Sequence, residues 1–85
     1  MSYNPKPPLL EIPVGLIPLI DRMGARIHDA WAAHRISEGW THGPLRDDLK
    51  KEHPCLVPWD DLTVAEQEVD LVTARTAIAA IVEIV

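Results

Sequence analysis

The stretch His28–Trp59, HDAWAAHRISEGWTHGPLRDDLKKEHPCLVPW, decides how this chain is read. It contains all three Trp, all four His and the only Cys of the 85 residues. A plain two-helix core does not require so many recognition-type side chains in one segment. The segment is either a ligand site or the packing knot of a small fold, because both use the same residue types.

Within it, His28, Trp31 and Arg35 stand at i, i+3 and i+7 and share one helical face. An indole beside a guanidinium suits a flat anionic ligand: the ring stacks a base, and the guanidinium forks onto a phosphate or carboxylate. The residues that follow add Trp40, His42, Arg46, Lys50, Lys51 and His53. The candidate ligand-binding set is therefore His28, Trp31, Arg35, Trp40, His42, Arg46 and Lys50. In Arg46-Asp47-Asp48, Asp47 reads as a loop lock that accepts from turn N–H groups or pairs with Arg46 or Arg35.

The flanks read as scaffold. Residues 1–13 hold four Pro, which fix φ and lack an N–H, so an extended arm is expected, with Leu9, Leu10 and Ile12 as apolar anchors. Residues 15–37 read as the first long helix. Its stripe is Ile20, Gly24, Ile27 and Trp31, with Met23, Ala30 and His34 beside it, and Pro18 is tolerable in the first turn. Gly24 marks an expected close approach of another backbone. Gly39 suits a left-handed helix end. Residues 38–62 read as one long ordered loop, in which Trp40, Leu45, Cys55, Leu56, Val57 and Trp59 are expected to be buried. A helical turn over Leu45–Glu52 and a short strand at Leu56-Val57 are further expectations. Residues 63–84 form the second helix, opened by a capping box in Thr63-Val64-Ala65-Glu66. Its apolar face, Val69, Val72, Thr76, Ile78, Ile81, Val82 and Val85, is broader than one small core needs, which points to a homodimer interface through residues 69–85.

The fold class expected is mainly α: two long helices joined by a long ordered loop, with an extended N-terminal arm and short strands, in one domain over residues 1–85. The net charge of −5 argues against a nucleic-acid polymer as partner. Residues 22–53 balance six basic against five acidic side chains, whereas residues 60–85 carry six acidic and only Arg75. The middle can host an anion and the tail cannot easily do so. A single Cys excludes an internal disulfide, and no signal-like or membrane-spanning run stands out, so a cytoplasmic protein is expected.

Catalytic chemistry has little support. His28, His34, His42, His53 and Cys55 lack zinc-type spacing, so no metal is expected. His53 and Cys55, two residues apart, point to opposite sides of an extended chain, and Cys55 reads as a small buried hydrophobe. No phosphate-loop, dinucleotide or nucleophile-elbow motif is present, so no cofactor is expected.

His28-Asp29-Ala30-Trp31, Arg35-Ile36, Glu38-Gly39-Trp40-Thr41-His42-Gly43-Pro44, Arg46-Asp47-Asp48 and His53-Pro54-Cys55-Leu56-Val57-Pro58 together resemble the ryanodine receptor repeat (RyR) domain. The resemblance spans nearly the whole chain, from Tyr3-x-Pro5-x-Pro7 to the helix carrying Glu68, Asp70, Thr73 and Ala74. It implies a small, mainly α domain of the stand-alone prokaryotic or phage type, pairing as a homodimer as the receptors' tandem repeats do. It also implies a pocket for adenine-nucleotide-type ligands near Trp31, and a role in sensing or sequestering nucleotide signals in defence settings. Receptor channel function is not implied. The chain departs from the family pattern at His42 and Trp59, where Tyr or Phe is usual, and at Leu71-Val72, where Arg-Asn is common. The expected function is a non-enzymatic module that recognises a nucleotide-derived anion. The alternative is an interaction or homodimerisation module with no small ligand.

Overall fold

Four prolines keep the N-terminal arm free of helix and strand in the computed structural model, which describes residues 2–85. Leu9 and Leu10 do not anchor it, since both are exposed; Pro8 and Ile12 are the half-buried residues. The first helix also begins differently from the expectation over 15–37. Val14–Leu19 form a 3-10 helix, and the α-helix α1 runs Ile20–Ser37. The cause lies at the two prolines. Leu16 N–H bonds the Pro13 carbonyl at 2.8 Å in a three-residue step, and Pro18 has no N–H with which to close an α-type bond.

Helix α2 runs Val64–Ile84 and starts as expected: Thr63 and Glu66 form a complete capping box. The two helices pack on each other and place the small core between them. That core is Gly24 and His28 of α1 with Ala74, Ile78 and Ala79 of α2, joined by Trp40 and Leu62 from the connecting segment. The expected stripe of α1 faces inward, with Gly24 buried and Ile20, Ile27 and Trp31 half-buried, but of its expected flank Ala30 and His34 face solvent, while His28 is 3% exposed. Gly24 does meet a close approach, but by side chains: a Cβ there would lie 2.9 Å from Leu71 Cδ2 and 3.0 Å from Trp59 Cη2.

The end of α1 is a Schellman turn. Gly39 takes φ +92°, its N–H bonds the Ile36 carbonyl, and Trp40 N–H bonds the Arg35 carbonyl, both at 3.0 Å. The chain then enters a two-stranded parallel pair, β1 (Thr41–His42) and β2 (Glu52–His53). The strand expected at Leu56-Val57 is absent, because those residues instead lead into a second 3-10 helix, Trp59–Asp61. The helical turn expected over Leu45–Glu52 is also absent. Asp47 Oδ1 accepts the N–H groups of Leu49 and Lys50, each at 3.0 Å, which makes a side-chain-closed turn. Leu45, expected to be buried, is 76% exposed on this turn.

Candidate functional site

The Schellman turn has a direct effect on side chains. By tying the Trp40 backbone to Arg35, it brings the Trp40 indole under the Arg35 guanidinium, 4.8 Å from ring centroid to Cζ. Arg35 also lies 5.9 Å from the Trp31 centroid. Two indoles therefore hold one cation. Among the described residues, no carboxylate lies within ion-pair distance of Arg35. Arg46, by contrast, donates from Nε to Asp48 Oδ1 at 2.9 Å, which raises its own pKa and lowers that of Asp48.

His53 leaves β2 beside this pair of cations. Its ring meets Trp31 edge-on at 5.0 Å and tilts toward Trp40 at 6.4 Å. Its Nδ1 accepts the Cys55 N–H at 3.0 Å, so the neutral ring carries its proton on Nε2. Burial lowers its pKa, and Arg46 and Arg35 lower it further.

Trp31 also borders a cavity of about 250 Å³, lined by His28, Trp31, His53, Cys55, Leu62, Glu66, Val69 and Asp70. Its wall is assembled from α1, β2, the segment after β2 and the first turns of α2. His28 is fastened there: Nε2 donates to the Val57 carbonyl at 2.7 Å, and the ring stacks on Trp31 at 5.7 Å. Glu66 closes the capping box with Oε1, accepting Thr63 N–H at 2.8 Å. Its Oε2 accepts from Cys55 Sγ at 3.1 Å. The Thr63 backbone bond, followed by the Cys55 bond, lowers the Glu66 pKa. Cys55 is correspondingly not the buried hydrophobe expected. It is half-buried and hydrogen-bonded, and desolvation together with Glu66 pushes its thiol up to about 11. Asp70 stands 3.8 Å from His28 Nδ1, and burial raises its pKa despite the neighbouring imidazole.

The candidate set thus divides. His28 and Trp31 line the cavity. Arg35, Trp40 and Arg46 do not line it. His42 and Lys50 are exposed, and neither lines the cavity. Sequence reasoning missed the acidic wall. From the sequence Glu66 reads only as a cap, and Asp70 carries no local motif; the register between α1 and α2 is what sets it opposite His28. Among the described residues, no cluster of His, Cys, Asp and Glu has metal-holding geometry.

The family model for the RyR domain matches residues 3–84. This chain belongs to the RyR domain family. Of the RyR motif residues quoted above, His28, Trp31, His53 and Cys55 line the cavity, and Arg35 and Trp40 meet in the cation–indole contact beside Trp31. No helix among the described residues is long and apolar enough to cross a membrane.

Proposed function

We propose that this RyR domain is a non-enzymatic binding module that recognises or sequesters a nucleotide-derived anionic small molecule. The observation that carries this reading is Trp31, whose ring borders the cavity while Arg35 stands 5.9 Å from its centroid. A cavity of about 250 Å³ is below the usual size for a whole drug-like ligand, ~300–1,000 Å³, but it suits a single flat ring system. Glu66 and Asp70 in its wall repel phosphate, so the anionic part of the ligand lies outside it, on Arg35 with Arg46. Non-enzymatic character is favoured by a thiol with a raised pKa and by an imidazole nitrogen already committed to a backbone N–H. The resemblance to stand-alone family members extends the proposal to a cytoplasmic protein of a bacterium or phage, acting in defence or counter-defence signalling.

A thermal-shift panel of adenine mononucleotides, ADP-ribose and cyclic nucleotides tests the reading. A ligand at 100 times its Kd adds about 2.7 kcal/mol of stability. The expected result is a shift that Trp31→Ala abolishes and Arg35→Ala weakens. No shift with any member, or a shift unchanged in Trp31→Ala, refutes it.

One observation favours the second reading, a homodimerisation module. Val69, Val72, Ile81, Val82 and Ile84 of the last helix and Val85 just after it are all exposed. Sedimentation equilibrium of the wild type against Ile81→Lys distinguishes it: a dimer that dissociates in the variant, with no nucleotide bound by either, supports this alternative.

A further inference from the structure

The start of α1 carries a second surface that neither the Trp31 cavity nor the core uses. Leu19, Met23 and Ile27 stand at i, i+4 and i+8 and floor a trough of about 350 Å³, whose remaining lining is Arg22 and Arg26. Leu19 is exposed, and Met23 and Ile27 are half-buried, so the floor leaves apolar area in water. Arg22 and Arg26 are exposed, and among the described residues neither makes an ion pair. Like charges at i and i+4 of one helix repel. A carboxylate seated between these two therefore relieves a repulsion while its neighbours cover the floor.

The complementary surface is at the other end of the same chain. Thr76, Ala80 and Ile84 of α2 repeat the i, i+4, i+8 spacing, and Glu83 stands in the adjoining row. Ile84 is 84% exposed, and Thr76 and Ala80 are half-buried. Glu83 is exposed and, among the described residues, makes no ion pair. This row does not reach the trough of its own copy, which residues 19–27 alone line. We infer that the trough seats α2 of a second copy, with Glu83 set between Arg22 and Arg26. This inference rests on the homodimer reading given above and names the surface on which the last helix packs. Rows of side chains four apart on both helices interdigitate in the commonest helix packing. Here bulky Leu19, Met23 and Ile27 meet short Thr76 and Ala80, and the arginine row falls beside the Glu83 row. Residues 60–85 hold six acidic side chains and one basic, so a second copy brings the charge that the two arginines lack. In a two-fold pair each copy offers a trough and fills one, so every contact forms twice.

The test is sedimentation equilibrium of the full chain with two charge-reversed variants, one carrying Arg22→Glu with Arg26→Glu and the other Glu83→Arg. All three positions are exposed, and helical circular dichroism checks that each variant folds. The wild type is expected to dimerise. Each variant alone sets like charges against each other, and its dimer Kd is expected to rise at least tenfold. An equimolar mixture of the two is expected to restore the dimer, because each reversed charge then meets its opposite on the other chain. Variants as dimeric as the wild type, or a mixture of folded variants that stays monomeric, overturn the inference while the homodimer reading stands. A wild type that stays monomeric removes both. Added salt, which screens exposed charges, should also weaken the wild-type dimer; a dimer indifferent to salt overturns the inference without recourse to any variant.

Discussion

Gly43 offers the sharpest stability test of how the site is supported. It follows β1, is buried, and its N–H bonds the His53 carbonyl at 3.3 Å. A Cβ added there would lie 2.6 Å from Glu52 Cβ, and Glu52 Oε1 and Cδ would stand at 2.8 and 3.0 Å. Carbon atoms in good contact keep roughly 3.5–4.0 Å apart, so Gly43→Ala has to part β1 from β2 by about 1 Å. The nearest atom is a Cβ fixed to backbone, which no rotamer change can move. Overpacking of this kind costs about 1–3 kcal/mol, and stretching the Gly43–His53 bond past its limit adds about 1 kcal/mol. The expected loss is therefore about 2–4 kcal/mol. Gly43 has no positive φ, so backbone strain contributes nothing to that figure. The assay is urea unfolding followed by helical circular dichroism, with Gly15→Ala as control, since nothing lies within 4 Å of a Cβ at Gly15. A Gly43→Ala protein within about 0.5 kcal/mol of the wild type, the ordinary range for an inconsequential surface change, refutes the close-packed strand pair.

Two other outcomes follow from the acidic wall. Thr63→Ala removes the cap of α2 and should cost roughly 1 kcal/mol. It should also flatten the acid limb of the stability profile. Because the folded Glu66 pKa is lowered, its contribution is fully present above the unfolded carboxylate value and is lost as pH falls through the folded one; melting temperatures measured from neutral to strongly acid pH check this. With its pKa raised from 9.0 to about 11, Cys55 holds about a hundredfold less thiolate at pH 8 than an unperturbed thiol. Alkylation by iodoacetamide should be correspondingly slow in the folded protein and fast in urea, and equal rates would contradict the burial of Cys55 and its contact with Glu66.

Local chemistry made much of the fold legible. The Thr63-to-Glu66 box and the left-handed Gly39 each act over three or four residues, so their sequence signature is their mechanism. The two-helix architecture followed from the apolar pattern. What depended on distant contacts was not legible. Asp70 reaches the site through the register of α1 against α2, and Cys55 meets Glu66 across eleven positions of sequence. His28 shows the same division. Its spacing with Trp31 was readable, but its burial and its bond to Val57, twenty-nine positions away, were not. Leu45 was misplaced for a related reason: the Asp47 turn closes on its own backbone and leaves that side chain outside. Of the candidate set, the helical spacing of His28 and Trp31 is legible and both line the cavity, whereas the carboxylates of Glu66 and Asp70 in the same wall are not legible as part of it.

The three indoles also make the domain its own spectroscopic reporter. Trp31 borders the cavity, Trp40 is buried beneath a guanidinium, and Trp59 packs near Gly24 with its ring tilted to His28 at 6.1 Å. Each therefore emits from a different surrounding. In a protein keeping only Trp31, fluorescence follows changes at the cavity wall. In one keeping only Trp59, it follows the meeting of the two helices. Changes at the cavity wall and helix separation can then be timed independently in one small chain, without an added dye.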